Sequence, residues 1–245
     1  MALGDPAIKD IRRLLIFGAH PDDIEFGCGG IVAQATQSGN TAHFVVTSSG
    51  EAATNGTAEL RMKEAEIAAK SLGASIEFIE LDGDSHLEVR AEHAIRLAGI
   101  IRRIRPSNVL APTWVENQHP DHSRLGRLVR DAARLARYGG LKEISEYESH
   151  SIEQLFFYAV TPDGEPNDVQ PVLIDVSSAA VMDAWVAAMN AHNSQASTRN
   201  YVDLQLTRAK LFGARAGVDY AMAVFPNDAL LFDSIIDAGR GARRF

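Results

Sequence analysis

Two four-residue motifs, His20-Pro21-Asp22-Asp23 and His119-Pro120-Asp121-His122, concentrate imidazole and carboxylate side chains at two distant points of the chain. Nitrogen and oxygen donors of this kind suit zinc or another divalent first-row metal. Two ligands from one motif and a third from the other would leave a fourth position for water, as a catalytic zinc site requires. Bound zinc lowers the pKa of its water to ~7 and polarises a carbonyl group. The two motifs therefore predict a hydrolytic metal site.

The spacing of the motifs does not decide which role each aspartate has. One of Asp22 and Asp23 would hold the metal while the other takes a proton from the water, but spacing alone does not say which. Either motif by itself is also typical of a strand-to-helix turn, where proline restricts the backbone and an aspartate caps the helix. The occurrence of both motifs after neighbouring strands favours the metal site over two separate caps.

The elements around these motifs predict an α/β fold with a mostly parallel sheet. Strand patterns at 12–19, 41–47, 75–81 and 108–111 alternate with helix patterns at 29–37, 58–72, 91–104 and 121–137. Beyond residue 140 the rhythm is less regular, with strands at 152–160 and 172–176, helices at 179–193 and 204–216, and an ambiguous final stretch of 25 residues. The two motifs follow the first and fourth strands, and in open parallel sheets ligands bind outside the carboxyl ends of the strands.

Composition limits the classes of protein to which the chain can belong. Its 245 residues are 46% apolar and suit a single domain over 1–245. A formal charge of −8 disfavours nucleic-acid binding, and no apolar run approaches the ~20 residues that span a bilayer. The stretch 1–13 lacks the apolar core of a secretory leader, and a lone cysteine suits a reducing compartment. We expect a cytoplasmic protein without membrane or nucleic-acid partners. Its apolar C-terminal half would allow a homo-oligomer, but no motif in the sequence marks the interface.

Several longer segments resemble the LmbE/PIG-L family of zinc-dependent N-deacetylases. They are AHPDDIEFGCGG at 19–30, the 48–73 segment that begins SSGEAATNG, HPDH at 119–122, AHNSQ at 191–195 and AKLFGARAGVDYA at 209–221. The isoleucine before Glu25 is more similar to the branch of bacillithiol-pathway deacetylases than to the branch that reads HPDDE. The resemblance covers most of the chain, and it implies a Rossmann-like three-layer fold with a metal site at the carboxyl ends of the strands.

The resemblance also implies a role for each residue of the two motifs. His20, Asp23 and His122 match the family's ligands of one zinc ion per subunit, and Asp22 matches its general base. His119 matches the histidine that stabilises the oxyanion or protonates the leaving amine. Asp121 matches the residue that orients this histidine and favours its imidazolium form.

Three further residues are predicted to contact the substrate. Arg61 corresponds to a substrate-side arginine of the relatives, although a solvated helix face is the alternative. Glu51 either binds sugar hydroxyls or supports its loop, and His192 replaces an aromatic hydroxyl found near the metal, unless it is a core or surface histidine. The loops at 81–87 and 147–153 lack the arginines that an anionic bacillithiol-type substrate would require.

Together these observations predict a hydrolase that removes an N-acetyl or other N-acyl group from a small amino sugar such as N-acetylglucosamine, or from a glycoconjugate. One alternative is an amidase that cleaves a larger amide, such as a thiol-sugar conjugate. Another is a non-catalytic sugar-binding module, which would not need the acid and base groups Asp22, His119 and Asp121.

Overall fold

The computed structural model describes residues 11–197 and 200–242, which fold into one layered α/β unit. Within these residues the strands are β1 Arg13–Gly18, β2 Thr41–Val46, β3 Ser75–Phe78, β4 Asn108–Pro112, β5 Gln154–Tyr158, β6 Val172–Asp175 and β7 Ala221–Pro226. The helices are α1 Asp23–Gln37, α2 Ala58–Ser71, α3 Ala91–Ile104, α4 Pro120–Leu135, α5 Ala179–Ala191, the short α6 Asn193–Ala196 and α7 Tyr201–Ala216.

The strands form a sheet in the order β3-β2-β1-β4-β5-β7-β6. Neighbours from β3 to β5 are parallel, whereas β7 runs antiparallel to both β5 and β6. The chain moves outward from β1 to β3 and then returns to place β4 on the other side of β1. The strand order therefore reverses between β1 and β4, and the crevice at such a reversal is where open α/β sheets bind ligands.

Alternating side chains of the central strands supply both halves of the core. Leu14 and Ile16 of β1 face a cluster that includes Val32 of α1 and Trp185 of α5. Leu15 and Phe17 face the opposite cluster, which includes helices α3 and α4. Strands buried on both faces are nearly continuous apolar runs, as the sequence of β1 shows. The sheet thus lies between two helical layers.

The predicted fold class is confirmed, while some element boundaries are wrong. The helix predicted from residue 29 begins at Asp23, because an irregular backbone at Cys28 (φ −148°) joins a short first segment to the longer helix. Two glycines flank this cysteine, and because glycine has a low helix propensity, the sequence pattern does not predict a helix before residue 29. The ambiguous final stretch contains β7, an inner strand of the sheet.

Some predictions concern residues at the chain ends. Residues 1–10 and 243–245 lie outside the described residues, so the single domain over 1–245 and the interpretation of the 1–13 stretch stay predictions. In the part of the chain that the structure describes, every helix is too short or too polar to cross a membrane.

A close approach of α4 to β4 yields the first testable prediction. A methyl group on Gly126 of α4 would meet the carbonyl oxygen of Pro112 at the end of β4, so Gly126→Ala must push the helix away from the sheet. We expect a loss of about 1–3 kcal/mol in the free energy of unfolding, measured with urea. The control Gly140→Ala has open space around the added methyl and should leave stability unchanged or slightly higher. Equal stability of the two variants would contradict this packing.

Candidate metal centre

The first motif forms the loop between β1 and α1, and the side chain of Asp23 holds that loop in place. One of its carboxylate oxygens accepts hydrogen bonds from the backbone N–H groups of Ala19 (2.8 Å) and His20 (3.0 Å). Asp22 stands at the N-cap position but makes no side-chain capping bond, and its φ of 138° is strained for a residue other than glycine. The capping alternative therefore does not describe Asp22, whose side chain points elsewhere.

The second motif begins α4 in a different way. The ring of His119 caps this helix, since its Nδ1 accepts the backbone N–H of Asp121 at 3.3 Å. Pro120 occupies the first helical position, where its missing N–H costs nothing. His122 lies one turn into the helix and is buried, as is Asp121.

Because β1 and β4 are neighbours, their two loops meet, and three predicted ligands touch one another. His122 Nε2 lies 3.0 Å from Asp23 Oδ1 and 3.3 Å from His20 Nδ1, and His20 Nδ1 lies 3.5 Å from Asp23 Oδ2. Zinc–ligand bonds of 2.0–2.1 Å place the donors of a tetrahedral site roughly 3.3 Å apart. The residues His20, Asp23 and His122 therefore fit a zinc ion in both donor type and separation.

The other ring nitrogen of His20 faces two buried carboxylates. His20 Nε2 lies 3.2 Å from Asp84 Oδ1 and 3.4 Å from Asp121 Oδ2. With its proton on Nε2, His20 can offer that proton to both acceptors, and the lone pair of Nδ1 then faces Asp23 and His122. Carboxylates that fix the tautomer of a ligating histidine in this way are typical of metal sites. Asp84 follows β3, at the predicted sheet edge, but no motif in the sequence assigned it a role.

The orientation of His119 by Asp121 stays a prediction: among the described residues no hydrogen bond joins the Asp121 carboxylate to the His119 ring, although the charge of Asp121 raises the pKa of His119. Asp121 Oδ2 accepts the backbone N–H of Ser85 at 2.7 Å and approaches His20 instead. The reason is that the N-cap position directs His119 outward, where its Nε2 lies 3.4 Å from the hydroxyl of Ser85. Burial lowers the pKa of His119, and His20 and His122 add to this effect.

Other combinations of donors also converge. His20, His119 and His122 can place their donor atoms within 4.8 Å of one another, and so can the group of His20, Asp84, His119 and Asp121. Both groups contain His20, so this ring is common to every set of donors that could hold a metal here.

Arg61 is buried beneath the first motif, so the alternative of a solvated helix face is wrong. Its guanidinium donates to the carbonyl oxygens of Gly50 (2.9 Å) and Pro21 (3.2 Å) and to Asp22 Oδ2 (3.2 Å). Burial raises the pKa of Asp22 to about 6, although Arg61 opposes the shift. Arg61 therefore holds the strained loop and its carboxylate in one position.

These groups line an open cavity of about 350 Å³, within the range of small-molecule sites. His20, Asp22, Asp23, His119 and His122 form one side of it. Residues that the sequence analysis did not single out form much of the remainder: Phe26, Ser85, Gln118, Gln195, Tyr201 and Gln205. These uncharged side chains lie on separate helices and loops, so the sequence offers no spacing signal by which they could be found.

Two of the predicted substrate-binding residues lie outside the cavity lining. The carboxylate of Glu51 accepts the backbone N–H of Asp84 (2.6 Å) and the hydroxyl of Ser49 (2.8 Å), so it supports its loop. His192 is fully buried at the end of α5, with its Nε2 3.3 Å from Glu25 Oε2. Burial lowers the pKa of His192, but the contact with Glu25 and the charges of Asp22 and Glu64 together outweigh burial and raise the pKa. Direct substrate contact by Glu51 and His192 stays a prediction; in this structure the Glu51 carboxylate is bonded to its own loop and to Asp84, and the His192 ring is buried.

Comparison with known proteins identifies the family. The family model for PIG-L, described as GlcNAc-PI de-N-acetylase, matches residues 15–133. The diacetylchitobiose deacetylase of Thermococcus kodakarensis is 30% identical over 200 residues, which cover 76% of this chain and 71% of that protein. The chain belongs to the PIG-L/LmbE family. This membership confirms the predicted resemblance and the prediction of an enzyme, while the bacillithiol-pathway branch stays a prediction.

Two further relatives show how broad this PIG-L/LmbE similarity is. The crystal structure of the conserved protein TT1542 from Thermus thermophilus superposes with a TM-score of 0.79 at 32% identity, covering 91% of this chain and 97% of that one. The 4-oxalmesaconate hydratase of Pseudomonas putida is 28% identical over 164 residues, which cover 58% of this chain and 63% of that protein. The family similarity thus extends to a relative named for a different reaction.

The buried contacts of Arg61 in this PIG-L/LmbE protein yield a second prediction. Arg61→Met removes the donor from two carbonyl oxygens and from Asp22, so we expect the free energy of unfolding to fall by about 3 kcal/mol. The control Arg127→Met removes a half-exposed arginine that pairs with Glu116, and should cost at most about 1 kcal/mol. Urea unfolding of both variants measures the difference. Similar losses would mean that Arg61 does not brace the loop.

Proposed function

We propose that the protein is a zinc-dependent N-deacetylase that hydrolyses the N-acetyl group of an amino sugar or glycoconjugate. The observation that supports this most strongly is the contact of His20, Asp23 and His122 at one wall of a cavity that Asp22 and His119 also line. Family membership and the deacetylase named among its relatives support the same reaction. A cytoplasmic location is part of the proposal.

His20, Asp23 and His122 would hold the metal, which, when bound, lowers the pKa of water and polarises the amide carbonyl. Asp22 takes a proton from the water, and the oxygen of that water forms a bond to the amide carbon. His119 donates its Nε2–H to the carbonyl oxygen as negative charge develops there, because its Nδ1 is already an acceptor for the helix. Asp22 then delivers its proton to the nitrogen as the carbon–nitrogen bond breaks, so acetate and a free amine leave. In this scheme the negative charge of Asp121 helps His119 to keep its proton.

The charge of the cavity favours an uncharged sugar over an anionic conjugate. Among the lining residues that the structure describes, Arg61 is the one permanent cation, and it is occupied by Asp22 and two carbonyl oxygens. The amide oxygen of Gln118, which is buried and has no hydrogen-bond partner among the described residues, suits a hydroxyl group instead. We therefore propose a neutral N-acetylated amino sugar, such as N-acetylglucosamine in a mono- or oligosaccharide, as the substrate class.

Substitutions of the first motif should separate metal binding from turnover. We expect Asp22→Ala to retain zinc while hydrolysis falls about 10²–10⁴-fold, because a proton acceptor is lost. His20→Ala should lose zinc as well, because it removes a ligand. The control His43→Ala removes a histidine that pairs with Ser75 and Glu77 away from the site, and should change neither quantity. Metal analysis and a free-amine assay measure both; full activity of Asp22→Ala would reject the assigned base.

A substrate panel tests the reaction class. With added zinc, the protein should release amine from neutral N-acetyl sugars at least about tenfold faster than from sugars that bear a phosphate or carboxylate, as the cavity charge predicts. Longer N-acyl groups test the amidase alternative. Unsaturated dicarboxylic acids, followed by the loss of their ultraviolet absorbance, test hydration, the reaction for which one relative is named. Hydration without amine release would overturn the proposed function, and binding of sugars without any turnover would favour the non-catalytic module.

A further inference from the structure

Ser85 follows Asp84 in the loop after β3, and it lines the cavity of the metal centre. Its hydroxyl donates to Asp84 Oδ1 at 3.1 Å, and the same oxygen lies 3.4 Å from His119 Nε2. Its backbone N–H donates to Asp121 Oδ2 at 2.7 Å. This small residue therefore joins the loop after β3 to the histidine that caps α4.

The backbone of Ser85 has a conformation that favours glycine. Its φ is 68°, in the left-handed region. Among the residues that the structure describes, the non-glycine residues with a positive φ are Asp22, Ser85 and Arg105, and the first two line the cavity. Strained residues cluster at active sites, where the surrounding structure holds them in place. Because glycine would fit this backbone better, the backbone does not explain why a hydroxyl is present here.

The direction of the hydrogen bond between Ser85 and His119 follows from their other partners. The Ser85 hydroxyl has one proton, which goes to Asp84 Oδ1, so only its lone pairs are left for His119. The Nδ1 of His119 accepts the backbone N–H of Asp121, so the proton of the neutral ring is on Nε2. His119 Nε2 therefore donates and the Ser85 oxygen accepts. Both contacts of the ring specify the same tautomer.

The same two contacts fix the orientation of the His119 ring. A half-turn of the imidazole about its Cβ–Cγ bond would put carbon atoms in the places of Nδ1 and Nε2, and both hydrogen bonds would be lost. The proposed reaction uses Nε2–H as a donor to the developing oxyanion, and such a donor is most effective when it is already held in place. The contact with Ser85 is long, so a substrate carbonyl oxygen can replace it as the acceptor at little cost.

We propose that Ser85 is a positioning residue of this enzyme, and that its hydroxyl, oriented by Asp84, holds the His119 ring with the proton on Nε2. The proposal rests on the proposed function and deepens it, since it names the group that orients the donor to the oxyanion. Asp84 Oδ1 also lies 3.2 Å from His20 Nε2. One carboxylate oxygen is therefore the common partner of the hydroxyl that orients His119 and of the ring of His20.

Two substitutions of Ser85 separate this role from mere support of the loop. Ser85→Ala and Ser85→Gly both remove the hydroxyl and keep the backbone N–H that binds Asp121. We expect kcat to fall about tenfold in both variants, with KM and zinc content unchanged. In urea, Ser85→Gly should be more stable than Ser85→Ala, because glycine adopts a positive φ without strain. Turnover that follows stability, with Ser85→Gly as active as the wild type, would mean that the hydroxyl has no part in positioning and would overturn the proposal.

The matched control is Ser145→Ala. The Ser145 hydroxyl is exposed and donates to the carbonyl oxygen of Lys142, in the 3₁₀ turn Lys142–Ile144. Ser145 is not among the residues that line the cavity. Its loss should leave kcat, KM and zinc content unchanged.

A double-mutant cycle tests whether Ser85 acts through His119. His119→Asn removes the ring but supplies another side chain that can cap α4. Ser85→Ala should lower kcat about tenfold in the wild-type chain, but by less than about twofold in a chain that already carries His119→Asn. Equal losses in the two backgrounds would overturn the proposal. Unchanged or faster turnover in Ser85→Ala alone would also overturn it, because the hydroxyl would then merely compete with the substrate for the proton.

Nitrogen NMR of the zinc-loaded protein tests the tautomer without any turnover. Two-bond correlations between ring protons and nitrogens distinguish the two neutral tautomers, and His119→Asn identifies the His119 signals among those of the eight histidines. The wild-type ring should carry its proton on Nε2, and in Ser85→Ala its signals should move toward the average of the two tautomers. A wild-type ring protonated on Nδ1, or signals that do not respond to loss of the hydroxyl, would overturn the proposal. Because no substrate is used, this failure is distinguishable from a failure of the proposed function.

Discussion

The arrangement of the metal centre depends on how His20 uses its two ring nitrogens. Nε2 is shared between Asp84 and Asp121, so Nδ1 is left to face Asp23 and His122. These partners come from the loops after β1, β3 and β4, so a single imidazole joins three strands of the sheet. Removing either carboxylate would free the ring to change tautomer or rotate. The carboxylates that contact Nε2 therefore determine how Nδ1 faces Asp23 and His122.

A second consequence of this layout is that the carboxylates of Asp22 and Asp84 have different environments. Asp84 is surrounded by donors, and although burial opposes it, the contact with His20 lowers its pKa to about 2. Asp22 stands on a strained backbone with the guanidinium of Arg61 beside it, and burial raises its pKa. When the pKa values of neighbouring carboxylates are shifted in opposite directions, one site can contain both a fixed negative charge and a proton acceptor.

Much of the fold and the centre of the site could be predicted from the sequence because both follow from repeating or clustered signals. The apolar runs of β1 and β4 predicted a parallel sheet, and the two motifs that follow them predicted which side chains would meet. Asp84 was harder to interpret because its partners, His20 and Ser85, are brought around it only by the sheet order and the loop backbone. The positions of His192 and Glu51 depended on tertiary packing, which determines whether a polar residue faces the cavity or the interior.

The separation of the two motifs along the chain has a bearing on folding. About a hundred residues, including the three helices α1 to α3 and the three strands β2 to β4, lie between His20 and His122, and the sheet that they form brings the two loops together. Bringing the two ends of so long a segment together costs conformational entropy. A few metal–ligand bonds in an otherwise unfolded chain would not offset that cost. A cation at this site would therefore bind to a framework that apolar contacts have already assembled, unlike the metal in small domains whose ligands are neighbours in sequence.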